Sequence, residues 1–171
     1  MLDKEIEEAI NRQINEELES AYIYLSMASY FDSEALGGFA SWMKVQVKEE
    51  LSHMEIFYNY INARGGRSSF YNIKNPDPYW KTPLEAFQNT YEHEQHITDK
   101  INDLLKLAKS KNDNATEIML QWFVTEQIEE ENNALNILTK LKLIKDNPQG
   151  LLMLDKELSA RVFIPPAGKT E

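Results

Sequence analysis

The sequence predicts an all-α protein: a bundle of four long helices, with one long crossover between the second and third helices and a short fifth helix at the C-terminal end. Apolar residues recur at spacings of three and four over four long stretches, which is the period of helices that bury one face. Capping residues, Gly and Pro stand between those stretches. The link between the second and third stretches is much longer than the other two and contains two Gly and two Pro.

Helices A and B are predicted over 3–31 and 39–64. No Gly or Pro interrupts helix A, and the pair Gly65-Gly66 supplies a stop for helix B. Only a few residues separate the two helices, so we expect them to pack as an antiparallel hairpin.

Helices C and D form a second predicted hairpin. Thr82 begins a capping box that opens helix C, which is expected over 83–110. Asn114, with Glu117 three residues later, has the same pattern and is expected to cap helix D, which continues to about residue 145. The link between the two helices is again short, so the pair is antiparallel.

The crossover is segment 65–82. At roughly 3.3 Å per extended residue it can span about 60 Å, more than the roughly 45 Å length of a 30-residue helix. One such crossover distinguishes this kind of bundle from those with two or none. Asn147-Pro148 then opens the fifth helix, which is expected to end near Ala160.

Length and composition favour one domain, predicted over 1–164, with a disordered tail at 165–171. The 28 acids against 18 Lys and Arg give a charge of −10, which opposes binding to nucleic acid or an anionic membrane and attracts cations. No signal segment or membrane-spanning apolar run is evident, so we expect a cytoplasmic location. The absence of Cys excludes disulfides and thiolate metal centres.

Acids interrupt the apolar series of every long helix. They are Glu17 on helix A, Glu50 on B, Glu94 on C and Glu130 on D, and His53 follows Glu50 on the same face. A lone glutamate in an apolar series is more often a surface residue whose stem is buried. Here, however, helices of about 30 residues have midpoints near 18, 50, 97 and 129, so antiparallel packing brings all four acids to one level. Four desolvated carboxylates repel one another, and two divalent cations would neutralise them.

Several motifs then resemble prokaryotic non-haem ferritin, over about residues 3 to 164. The motifs are Glu17 in its helix A context, Glu49-Glu50-x-x-His53, Tyr91-Glu92-His93-Glu94, and the run from Trp122 to Glu131. The resemblance implies iron storage: a ferritin-like bundle that oxidises Fe(II) with dioxygen at a di-iron ferroxidase centre. It also implies deposition of the Fe(III) mineral inside a shell of 24 identical subunits.

The resemblance further implies which residues bind iron. Glu17, Glu50 and His53 would hold one ion, and Glu50, Glu94 and Glu130 the other, with Glu50 bridging. Gln127 would stand beside the centre. A third, transit site maps to Glu49, Glu126 and Glu129, with Glu130 shared; the alternative is a solvated acidic face. Tyr24 could hydrogen-bond the centre, pass an electron, or simply belong to the core.

Related families fit less well. Bacterioferritins and rubrerythrins have a second Glu-x-x-His on helix D, where this chain has Gln127-x-x-Glu130, and rubrerythrins also need cysteines. We therefore expect no haem. Two alternatives stay open: a rubrerythrin-like di-iron oxidase or peroxidase without mineral storage, and a purely structural bundle, which leaves the four acids unexplained. His93 and His96 are expected to be surface or partner contacts rather than ligands.

Overall fold

A computed structural model describes residues 2–166 and confirms the all-α prediction. The helices are α1 Lys4–Ser33, α2 Gly37–Ala63, α3 Pro83–Ser110, α4 Asn114–Ile144 and α5 Pro148–Leu158. Most of the predicted tail, 167–171, lies outside the described residues, as does Met1. Among the helices of residues 2–166, none combines the length and apolar character that crossing a lipid bilayer requires.

Side-chain caps fix where the helices begin. The Thr82 hydroxyl accepts a hydrogen bond from Glu85 N at 3.1 Å, as the capping box predicts. The prediction for α4 was one residue off, because Asp113 rather than Asn114 is the N-cap and its Oδ1 accepts from Thr116 N at 3.1 Å. A carboxylate is favoured there because it also receives both guanidinium nitrogens of Arg64, at 3.1 and 2.9 Å.

Contacts between helices show that neighbours run antiparallel. In the middle of α1, Ser20 Oγ lies 2.8 Å from His93 Nε2 of α3. At the start of α1, Glu5 Oε2 lies 2.5 Å from Nζ of Lys111, which follows the end of α3. The order of partners therefore reverses between the two helices. α2 and α4 are arranged in the same way, because Arg64 at the end of α2 pairs with Asp113 just before α4.

The crossover lies along α1 and is held by amide side chains. Asn11 donates from Nδ2 to Arg67 O at 3.1 Å and accepts from Ser69 N at 2.7 Å, so one side chain satisfies two backbone groups of the extended segment. Farther along, Trp80 is buried and its ring centroid lies 5.6 Å from that of Tyr30 near the other end of α1. The segment thus crosses the length of the bundle, as predicted.

The apolar core is divided into two clusters. One contains buried residues from Tyr24 to Phe31, Phe39 to Met43, Ala86 to Phe87 and Ile137 to Leu141, together with Leu154 and Leu158 of α5. The other contains residues from Leu2 to Ile14, Ile56 to Ile61, Ile97 to Ala108, and Leu120 and Phe123. On each long helix the buried glutamate lies between the stretches that belong to the two clusters, so the acids form a polar layer across the middle of the core.

α5 docks against the N-terminal end of α2. Asp155 Oδ1 accepts hydrogen bonds from Gly38 N at 2.7 Å and Phe39 N at 3.0 Å, which satisfies donors that the α2 N-cap, Leu36, leaves free. The approach is so close that a Cβ on Gly38 would lie 1.6 Å from the backbone oxygen of Asp155, whereas one on Gly37 would have nothing within 4 Å.

We expect Gly38→Ala to weaken this docking and to lower the free energy of unfolding by about 1 to 3 kcal/mol, the usual cost of overpacking. Gly37→Ala is the matched control and should leave stability equal or slightly higher, because alanine is the better helix former. Chemical denaturation followed by circular dichroism measures both. Equal midpoints for the two variants would show that the close approach is not a stability determinant.

Candidate metal centre

The polar layer contains one glutamate from each long helix, and all four side chains are inaccessible to solvent. The exposed fractions are 1% for Glu17, 2% for Glu50, 2% for Glu94 and 3% for Glu130. Burial of a carboxylate in an apolar core is costly unless the group is hydrogen-bonded, protonated or bound to a cation. Four buried carboxylates in one layer therefore require hydrogen bonds, protons or cations to be stable.

Three of the predicted ligands already face one another. One ligand atom from each of Glu17, Glu50 and His53 lies within 4.8 Å of the others. His53 Nδ1 stands 3.5 Å from Glu50 Oε2 and 3.7 Å from Glu17 Oε2. The spacing of three along α2 places Glu50 and His53 on one side of the helix, and α1 supplies the third group from across the hairpin. The structure therefore brings together the residues of the first predicted iron site.

The remaining two acids face hydrogen-bond donors. The Tyr24 hydroxyl donates to Glu94 Oε1, and Gln127 Nε2 donates to Glu94 Oε2 at 3.3 Å. Gln46 Nε2 donates to Glu130 Oε2 at 3.0 Å. The second predicted set, Glu50 with Glu94 and Glu130, lies in the polar layer, but among residues 2–166 these three are not a group whose ligand atoms all lie within 4.8 Å of one another. Glu94 and Glu130 are instead tied to these donors. A cation held there would replace hydrogen bonds by coordination.

Two supporting amides were not predicted as site residues. Gln13 Nε2 donates a hydrogen bond to Glu17 Oε1 at 2.7 Å, and Gln46 Nε2 donates one to Glu130 Oε2. Each glutamine occupies an apolar-series position one turn before a site glutamate, Glu17 or Glu50. A second polar residue on the buried face, one turn from a buried acid, is the signal that could have identified them.

The predicted third site is only partly assembled. Glu126 belongs to a second group that could hold a metal, in which its ligand atom and one each from His53 and Glu130 lie within 4.8 Å of one another. Glu49 is half-buried and instead pairs with Arg161. Glu129 is exposed to solvent, as the alternative of a solvated acidic face expects for that residue.

Burial and mutual repulsion control protonation in the layer. Burial, reinforced by Glu94 and Glu17, raises the pKa of Glu50 well above its ordinary value. Burial, and then the charge of Glu130, raises the pKa of Glu94 to about 8. Burial opposes the charged form of His53, but Glu17 and Glu50 together raise the pKa of the imidazole. Glu50 and Glu94 therefore favour their protonated forms, and added positive charge in the layer would stabilise their carboxylates.

Aromatic and imidazole side chains enclose the layer. The His53 ring meets Trp122 and Phe123 edge to face, with centroid distances of 5.5 and 5.8 Å. Tyr24 is fully buried, and burial together with Glu94 raises the pKa of its phenol. The hydrogen bond to Glu94 makes it a contact of the centre as well as a core residue.

The other two histidines lie outside the layer. His93 is half-buried, with its ring edge to face with Tyr24, and His96 is exposed and lies 3.2 Å from Glu16 Oε2.

The donor set suits a hard cation. Carboxylate oxygens with one imidazole are ligands for iron, manganese or zinc, and the chemistry of the ligands alone does not choose among them. Glu17 Oε2 is buried and accepts no hydrogen bond from any residue in 2–166, although it faces His53. Such an unsatisfied oxygen is free to coordinate an ion.

Comparisons with known proteins agree with this geometry. A family model described as a ferritin-like domain matches residues 7–144. Bacterial non-heme ferritin from Bacteroides fragilis is 39% identical over 161 residues, which cover 94% of this chain and 100% of that protein. Its counterpart from Staphylococcus aureus is 38% identical over 163 residues, covering 95% and 98%. The chain belongs to the ferritin family.

Solved structures show the same fold. An open pore ferritin from the hyperthermophilic archaeon Archaeoglobus fulgidus superposes with a TM-score of 0.94 at 49% identity, over 95% of this chain and 100% of that one. A closed form of the Archaeoglobus fulgidus ferritin, engineered by site-directed mutagenesis, gives 0.95 at 49% identity, over 96% and 100%. The predicted family and fold are confirmed, whereas the individual ligand roles stay predictions.

Glu50→Gln should separate metal binding from folding. Burial raises the pKa of Glu50 and so favours its neutral form, and the isosteric amide should therefore leave the unfolding temperature of the metal-free protein close to its original value. Affinity for Mn(II), measured by anaerobic calorimetry, should fall by about 100-fold or more, since Glu50 is the predicted bridging ligand and loss of an outer partner alone costs about 10- to 100-fold. The exposed Glu55→Gln on the same helix is the control. Equal Mn(II) affinity in the two variants would remove Glu50 from the centre.

Proposed function

We propose that the protein is a ferroxidase that stores iron: it oxidises Fe(II) with dioxygen and deposits Fe(III) mineral inside an oligomeric shell. The observation that carries the proposal is the layer of four buried glutamates, one from each helix of a ferritin-family bundle. Two Fe(II) ions are the substrates. Glu17, Glu50 and His53 bind the first, and Glu50, Glu94 and Glu130 bind the second.

The side chains explain why oxidation is favoured there. Coordination requires deprotonated carboxylates, and burial raises the pKa values of Glu50 and Glu94, so uptake of the two ions is coupled to release of protons from these groups. The resulting negative charge stabilises Fe(III) more than Fe(II), because Coulomb energy grows with the charge of the ion. Each Fe(II) supplies one electron, and dioxygen takes the two electrons with two protons to leave as hydrogen peroxide. Tyr24 and Gln127 hold the Glu94 carboxylate in position.

Storage requires a closed assembly of many copies, and the ferritin relatives support such a shell. We propose 24 identical subunits, no haem and a cytoplasmic location, as the family resemblance implies. The ferric product leaves the centre through the third site at Glu49, Glu126 and Glu129, with Glu130 shared. Glu126 lies beside His53 and Glu130 of the layer, and Glu129 is exposed to solvent.

A di-iron oxidase or peroxidase without storage is the alternative function. It uses the same layer but needs no shell, so it predicts a particle of one or two chains. The matched relatives are ferritins by name, which favours storage. Sedimentation analysis separates the two functions, since a shell of 24 chains of 19.9 kDa each sediments far ahead of a dimer.

Anaerobic Fe(II) loading followed by oxygen should give rapid oxidation that saturates near two Fe(II) per chain, since two ions neutralise the layer. Glu130→Ala should slow that phase by at least about tenfold, because one ion loses a ligand. The exposed Asn132→Ala, two residues along the same helix, is the matched control and should oxidise iron at the original rate. Stopped-flow absorbance of the ferric product measures all three proteins. Unchanged oxidation in Glu130→Ala would refute the assignment.

A further inference from the structure

Arg161 reaches from the segment after α5 to the edge of the metal centre. Its Nη2 lies 2.5 Å from Glu49 Oε2, and its Cζ lies 4.3 Å from the centroid of the Trp42 ring. The side chains of Arg161 and Glu49 are each only 19% exposed. A charge pair that is this well shielded is much less screened than a surface pair.

The fold determines this position. Asp155 ties α5 to the start of α2 through two backbone donors, and Leu158 is buried in the same apolar cluster as Trp42. Arg161 follows Leu158 by three residues, so the docked helix delivers the guanidinium to the middle of α2. Stacking on the Trp42 ring then favours the cation over a neutral group.

The carboxylate that Arg161 binds is one that the proposed third site needs. Glu49 is the neighbour of Glu50 in sequence, and the carboxylates of Glu130 and Glu126 act on it. A positive charge beside Glu49 therefore gains from the same acids that would attract a third iron ion. Arg161 already supplies one positive charge there.

The pairing is incomplete on the arginine side. Nη1 of Arg161 is buried and has no hydrogen-bond partner among residues 2–166. A buried donor without an acceptor destabilises the arrangement relative to one in which the guanidinium reaches water. Glu49 and Trp42 thus hold the Arg161 guanidinium in the paired position, but the guanidinium can leave that position for water.

We propose that Arg161 is a tethered cation that competes with iron for Glu49 and so sets the affinity of the third site. The inference rests on the proposed function and deepens it. While Arg161 is paired, it occupies Glu49 Oε2 and its positive charge opposes a cation at that carboxylate, so a third ion binds fully only after the guanidinium has moved away. If the pair is formed nine-tenths of the time or more, the apparent dissociation constant of a third ion rises by about tenfold or more.

A purely structural pair makes the opposite prediction for metal binding. If Arg161 only fastens α5 to α2, its removal leaves Glu49 unpaired but does not create a metal site. The affinity for a third ion then stays the same. The distinction is made with Zn(II), which is redox-silent, added to the intact metal-free protein and followed by calorimetry.

Arg161→Gln should leave the first two Zn(II) equivalents per chain unchanged and tighten the third by about tenfold or more. Lys156→Gln removes an exposed cation from α5 and controls for the general change in charge, so its third equivalent should match the original protein. Glu49→Gln should abolish the third equivalent with or without Arg161. A third equivalent that is unchanged or weaker in Arg161→Gln overturns the proposal. If the original protein does not bind the first two Zn(II) equivalents per chain, the proposed function is refuted instead.

A second measurement needs no change at Arg161 and covers the case in which Arg161→Gln does not fold. Displacement of the guanidinium from Trp42 should alter tryptophan emission during the third Zn(II) equivalent, and Trp42→Phe should lose that step while keeping the first two equivalents. No change in emission at the third equivalent in the original protein also overturns the proposal.

Discussion

The joint desolvation of four carboxylates at one level of the bundle is the constraint on which the other features depend. Each acid interrupts the buried face of its helix, and apolar clusters on either side keep water out of the layer. The layer is stabilised by donors from its own helices, namely Gln13, Gln46, Gln127 and Tyr24, and by raised pKa values at Glu50 and Glu94. A bound cation would replace both the hydrogen bonds from these donors and the protons on the carboxylates.

The connections between the helices keep the four glutamates at one level. A register shift of one turn, about 5.4 Å, in any helix would move its glutamate out of the layer. The crossover opposes this for α1 and α3. Asn11 of α1 holds its first part, and Trp80 in its last part packs against Tyr30 of α1 and donates from Nε1 to Asn89 Oδ1 of α3 at 3.0 Å. α5 adds a link between the C-terminal segment and α2, and through Arg161 it places a competing charge beside the layer.

Much of this was predictable because it depends on local periodicity. The bounds of α1 to α4 follow from apolar spacing and capping patterns to within two residues, since α1 ends at Ser33 rather than 31 and α2 begins at Gly37 rather than 39. Glu50 is the central residue of α2. The cap of α4 was misplaced by one residue because Asp113 and Asn114 are both good caps, and only the tertiary pair with Arg64 chooses between them. Arg161 could not be found at all, since nothing in sequence indicates which part of α2 the fifth helix approaches. The orientations of Glu94 and Glu130 likewise depend on donors from other helices.

We propose that the four helices place their acids so that two iron ions share them. Anomalous diffraction at the iron edge, from crystals soaked anaerobically with Fe(II), would locate the ions. Two peaks per chain are expected inside the polar layer, one bounded by Glu17, Glu50 and His53, and the other by Glu50, Glu94 and Glu130. Iron found only on the surface acids, with the layer unchanged, would contradict it.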